Sequence, residues 1–116
     1  MADSVLRTKS KEFAKKIVFL CRKLKLSGAE TVLINQLIRC GTSVGANVHE
    51  AQYAQGAKDF ISKFEIALKE CNESEYWLEL LFETNSITKA EFDEFQKNCI
   101  EIRRMLVSSV TTLKNK

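Results

Sequence analysis

Residues 88–114, TKAEFDEFQKNCIEIRRMLVSSVTTLK, place Phe92, Phe95, Cys99, Ile102, Leu106, Val110 and Leu113 at steps of three and four. Those steps follow the turn of an α-helix, so all seven side chains share one stripe. Steps of two, the mark of a half-buried strand, would scatter them over both faces. Thr88, three residues ahead of Glu91, has the pattern of a capping box at the start of this helix.

The same periodicity recurs three times upstream. Phe13, Ile17, Leu20 and Leu24 mark a first helix over about 4–26. Leu33, Leu37, Cys40, Val44, Val48 and Ala51 mark a second over about 28–53, with Ser27 and Glu30 reading as its capping box. After Gln55-Gly56, the series Phe60, Phe64, Ala67, Cys71, Leu78 and Phe82 marks a third over about 57–83. The break Thr84-Asn85-Ser86 then leads to the last helix, about 88–114. Proline is absent and only four glycines occur, which argues against the turn-rich β architectures. Short connections make consecutive helices antiparallel neighbours. The expectation is all-α: one domain spanning 1–116, an antiparallel up-down-up-down four-helix bundle.

No apolar run reaches the roughly 18 residues that cross a bilayer, and Met1-Ala2-Asp3-Ser4 lacks the start of a signal peptide. These features predict a cytoplasmic protein with no membrane partner, whose four cysteines are reduced and buried. The net charge of +3 is unevenly spread. Residues 1–26 carry eight Lys/Arg against two acids, whereas residues 57–84 carry three against seven.

Catalytic and metal chemistry find little support. Gly41 and Gly45 lie mid-helix, where a glycine costs roughly 1 kcal/mol relative to alanine. A close approach by another helix would offset that cost, whereas a phosphate-cradling loop would need a preceding strand. Ser43, Asn47 and Glu50 share a polar stripe beside the apolar face, read as a structural or assembly network, with a ligand site as the alternative. His49, the single histidine, has no ligand-spaced partner and reads as an edge residue. Cys21, Cys40, Cys71 and Cys99 fall one per helix. Helical rise puts the last three at similar depth and Cys21 about 8–12 Å away. Zinc–sulfur bonds of about 2.3 Å cannot span that gap. The glutamates of the third helix (Glu65, Glu70, Glu73, Glu75, Glu79 and Glu83) read as a solvated acidic face. No catalytic residue, metal, cofactor or small-molecule substrate is expected.

Binding finds more support. At about 100° per residue, Ile66, Tyr76, Trp77 and Leu80 fall opposite the core stripe of the third helix. A lone bundle would expose this patch, and contiguous exposed aromatics mark interaction surfaces. The four residues are expected at a subunit contact; burial within their own chain is the alternative. Acids of the third helix could then meet bases of another subunit. On the first helix, Arg7, Lys11, Lys15 and Arg22 follow one side, and Lys9, Lys16 and Lys23 the next. Such clusters suit nucleic-acid phosphates through counterion release. Set against this use, the pI of 8.7 is modest and no aromatic is interleaved with the lysines.

Three stretches carry a family pattern: Arg39-Cys40-Gly41-Thr42-Ser43-Val44-Gly45-Ala46-Asn47-Val48-His49-Glu50-Ala51, then Lys58-Asp59-Phe60-Ile61, then Glu73-Ser74-Glu75-Tyr76-Trp77-Leu78-Glu79-Leu80. Together they resemble the four helix bundle protein family, also called the 23S rRNA intervening-sequence protein family. Val44 and Val48 stand where isoleucine is usual, and Ala51 where many members have glycine. The resemblance implies a bundle whose members form homo-oligomers, with pentameric rings recurring, and mostly lack an assigned activity. A branch that accompanies reverse transcriptases is basic and binds nucleic acid. The combined expectation is a non-enzymatic, homo-oligomeric scaffold, expected to be a pentamer. The alternative is an RNA- or DNA-binding accessory protein using Arg7, Lys11, Lys15, Lys16, Arg22 and Lys23. Ser43, Gly45, Asn47 and Glu50 carry the family pattern in a structural role.

Overall fold

Each of the four stripes is too narrow to bury itself, so the helices fold against one another. The structure, a computed structural model, describes residues 2–116, with side chains from Ser4 onward; Met1 lies outside the described residues. It contains α1 (Ala2–Leu26), α2 (Thr31–Ala51), α3 (Ala57–Glu83) and α4 (Lys89–Lys114). Each helix packs on the next and α4 closes back on α1, while the diagonal pairs keep their backbones apart. The resulting rod measures 48 × 21 × 19 Å.

The core follows the stripes. Phe13, Ile17, Leu20 and Leu24 of α1 are buried, as are Leu37, Cys40, Val44, Val48 and Ala51 of α2. Phe64, Ala67, Cys71 and Leu78 come from α3, and Phe92, Phe95, Cys99, Ile102 and Leu106 from α4. Leu33, Phe60, Phe82 and Val110 are only partly buried and pack against this core. Leu6, Ser10, Cys21, Ile34, Ser74, Leu81 and Ile87 are buried with them.

The ends of the helices divide into one agreement and two corrections. Thr88 and Glu91 form the expected box: the Glu91 amide donates to Thr88 Oγ1 at 3.1 Å and the Thr88 amide to Glu91 Oε1 at 2.9 Å. Ser27 and Glu30 do not form one. Ser27 Oγ donates to the Leu24 carbonyl, Glu30 makes no side-chain cap bond, and α2 starts at Thr31 rather than near 28. The reason is Gly28. Its φ of +82° lets the Ala29 amide reach the Leu24 carbonyl and its own amide the Lys25 carbonyl. That is a Schellman ending, and it commits Ser27 to α1. Asn85, at φ +65°, ends α3 in the same way. The second helix also ends at Ala51 rather than 53, because Gln52, Tyr53 and Ala54 donate three residues back in tightened turns.

Gly41 and Gly45 are where α1 comes closest. A Cβ on Gly41 would sit 2.8 Å from Ile17 side-chain carbons, and one on Gly45 3.1 Å from the Ser10 carbonyl oxygen. The packing reading of this pair therefore holds.

Candidate interaction surfaces

The outer face of α3 carries the first surface. Tyr76 is 58% exposed and Ile66 39%. Trp77 and Leu80 are only half-buried, and Trp77 packs against the core, so the patch is less exposed than its helical angles suggest. Tyr76 meets Trp77 edge to face, with ring centroids 5.0 Å apart. The Trp77 indole donates to Glu73 Oε2 at 3.0 Å, and Glu73 also pairs with Arg39 of α2. The indole bond first, with the Arg39 guanidinium adding to it, holds the Glu73 carboxyl below its usual range. Glu73 thereby links the Trp77 indole to Arg39 of α2.

The glutamates of α3 do not form a simple solvated face. Glu65 pairs with Lys114, Glu70 and Glu73 with Arg39, and Glu75 with Arg103. These partners all lie within the chain, so the expected role of the α3 acids toward another subunit narrows to Asp59, Glu79 and Glu83, for which no ion pair occurs among the described residues.

The basic helix is likewise divided. Lys9, Lys16 and Lys23 face α4 and pair with Glu101, Glu94 and Glu91 at 2.6, 2.9 and 2.8 Å. Of the residues expected to meet phosphates, Lys16 and Lys23 are thus engaged in holding α1 to α4. Lys15 pairs with Glu12 on its own helix. Among the described residues no carboxylate pairs with Arg7, Lys11 or Arg22. The outer stripe of α1 also carries an aromatic ring that the interleaving argument missed. Phe19 is 60% exposed, and the Arg22 guanidinium lies over its ring, 5.7 Å from the centroid. Its position six residues beyond Phe13, off the core stripe, was the available signal.

Two shallow grooves border this stripe. One, of about 440 Å³, lies between α1 and α2 and includes Ser4, Arg7, Thr8, Lys11, Gly45 and His49 in its lining. The other, of about 230 Å³, is lined by Lys11, Ala14, Lys15, Val18, Phe19 and Arg22. Lys11 belongs to both.

The polar stripe of α2 splits by burial. Asn47 is buried, and its amide donates to the Ser43 carbonyl at 2.9 Å and to Ser43 Oγ at 3.0 Å. Glu50 is exposed and reaches Lys63 of α3 at 3.2 Å. Asn47 and Ser43 are thus bonded to each other within α2, whereas Glu50 turns to α3. His49 is exposed, beside Tyr53 at 5.6 Å between centroids.

The thiols are free and buried. Ser74 Oγ donates to Cys40 Sγ at 3.4 Å, and Cys71 Sγ lies 3.5 Å from the Cys99 carbonyl oxygen. Cys21 is elsewhere, 3.8 Å from the Ile34 carbonyl oxygen. Among the described residues no three His, Cys, Asp or Glu side chains converge as a metal site. Burial pushes the Cys21 thiol up to about 11, out of the range of a reactive thiolate. A cleft of about 570 Å³ does exist at the bundle end, between Ala51, Ala57, Phe60, Ser109 and Leu113, but none of the glutamates lines it. Among the described residues no helix is long and apolar enough to cross a membrane.

A family model described as 23S rRNA-intervening sequence protein matches residues 2–108. The chain is also similar to a crystal structure from Bacteroides thetaiotaomicron, described as a protein with unknown function from the S23 ribosomal protein family. The two share 46% identity with a TM-score of 0.93, over 96% of this chain and 99% of that one. No curated protein matches the sequence.

Proposed function

Because the chain belongs to the 23S rRNA-intervening sequence protein family, we propose that it is a non-enzymatic scaffold that works as a homo-oligomer, with a ring of five as the expected form. The observation that carries this reading is the outer face of α3. Tyr76 stands exposed against Trp77, Leu80 follows one turn on, and Ile66 is exposed on the same helix about 15 Å nearer its start, and a second copy would cover the surface they leave open. Trp77 is held in place by Glu73 before any partner arrives, which lowers the ordering cost of association. The reduced thiols fit a cytoplasmic setting.

Light scattering on the purified protein tests this. A mass five times the 13.2 kDa chain is expected, falling to the single-chain value in Tyr76→Glu and Trp77→Glu. A wild-type species of 13.2 kDa at micromolar concentration defeats the proposal. Tyr76 is the safer probe because its ring is the more exposed.

A second reading is favoured by one specific observation. Arg7, Lys11 and Arg22 remain without a carboxylate partner among the described residues, on a face separate from α3. That face suits an RNA or DNA backbone, and binding there would weaken as salt rises.

A further inference from the structure

The basic stripe of α1 is more than a charged surface, because its charges adjoin an exposed ring and two grooves that share a residue. Arg7 and Lys11 line the groove between α1 and α2, together with His49 and the bare backbone at Gly45. Its carboxylate, Glu12, is already engaged by Lys15 at 3.1 Å. Lys11 continues into the second groove, where Ala14, Val18 and Phe19 supply an apolar wall and Arg22 a cation, beside the Lys15–Glu12 pair. Steps of four along a helix advance about 6 Å, so Arg7 and Lys11 present one cation per turn, with the Lys15–Glu12 pair between Lys11 and the Phe19 ring.

A phosphate backbone satisfies the first groove and an unstacked base the second. We propose that the outer face of α1 is a track for single-stranded nucleic acid, with phosphates held at Arg7 and Lys11 and a base stacked on Phe19. Arg22 lies over the same ring and adds a second planar cation against which a base can rest. A duplex offers phosphates to the cations but keeps its base faces stacked inside, so it gains nothing from Phe19. An acidic peptide could neutralise the charges but has no planar group to match the ring. The inference rests on the second reading above and narrows it to one strand form and one helix face.

Fluorescence anisotropy with the full chain tests it. The probes are a labelled mixed-sequence single-stranded RNA dodecamer, the same sequence as a duplex, and poly-glutamate as competitor. The single strand is expected to bind more tightly than the duplex, and its affinity to fall roughly sevenfold between about 50 and 200 mM salt if the two phosphates at Arg7 and Lys11 are neutralised. Phe19→Ala should weaken the single strand by roughly tenfold and leave the duplex unchanged, while Phe19→Tyr restores binding. Arg7→Gln with Lys11→Gln should weaken both forms. If neither nucleic acid binds, the nucleic-acid reading falls and the track with it. Equal binding of duplex and single strand, indifference to Phe19→Ala, or equally effective competition by poly-glutamate would overturn the track alone. Circular dichroism of Phe19→Ala keeps the test clean, since an exposed ring can be removed without opening the core.

Discussion

One hydrogen atom as a side chain sets how closely α1 and α2 approach. A methyl on Gly41 would lie 2.8 Å from both Cγ atoms of Ile17, a β-branched residue with no exposed surface and little freedom to turn aside. Overpacking of this kind costs about 1–3 kcal/mol, while alanine recovers roughly 1 kcal/mol of helix propensity. Gly41→Ala is therefore expected to lose about 1 kcal/mol net in urea unfolding. A stabilised variant would show that the helices have room there. The buried thiols make a second prediction at this scale. With Cys21 pushed up to about 11 and all four cysteines buried, an aromatic disulfide reagent at neutral pH should label none of them in the folded protein and all of them in denaturant. Rapid labelling of the native state would mean that the bundle opens readily.

At the scale of the element, the helix ends separate what a sequence pattern says from what the backbone does. Ser27 with Glu30 and Thr88 with Glu91 have the same spacing, yet only the second pair closes a box. Thr88→Ala should cost about 1 kcal/mol, whereas Ser27→Ala should cost a few tenths at most, because its hydroxyl caps no amide. Equal losses in the two variants would contradict the observed caps. The four stripes were legible because periodicity of 3.6 reports which face is buried. The start of α2 was not, because Gly28 and Ser27 compete for the same residues and only the backbone dihedral decides. The two lysine stripes of α1 were visible as angles, but their fates were not. Lys9 and Lys16 step by seven against Glu101 and Glu94, a match that appears only once α4 is known to lie antiparallel beside α1. The α3 patch was overestimated for a related reason: Trp77 packs against the core, and an angle taken on a lone helix contains no neighbour.

At the scale of the whole molecule, acid should loosen the bundle along identifiable lines. Glu91 is held below its ordinary range by the Lys23 ammonium first and then by the Thr88 amide, and Glu101 by the Lys9 ammonium. Glu73 is held down by the Trp77 indole and by Arg39. A carboxyl whose pKa is depressed on folding stabilises the folded state above its unfolded pKa, near 4.3. That contribution disappears as pH falls through the lower folded value. Thermal stability should therefore be flat from neutral pH down to about 5 and decline below about pH 4.5 as these three groups protonate. Two of them join α4 to α1, the pair of neighbouring helices with the fewest close backbone approaches, so this seam should weaken with the decline. Glu91→Gln isolates one contribution, because glutamine can still accept the Thr88 amide but cannot attract Lys23. The variant should be less stable than wild type at neutral pH, and the two unfolding curves should converge as the medium becomes acidic. A gap that stays constant down to about pH 3 would mean that the Glu91 charge plays no part in holding the seam.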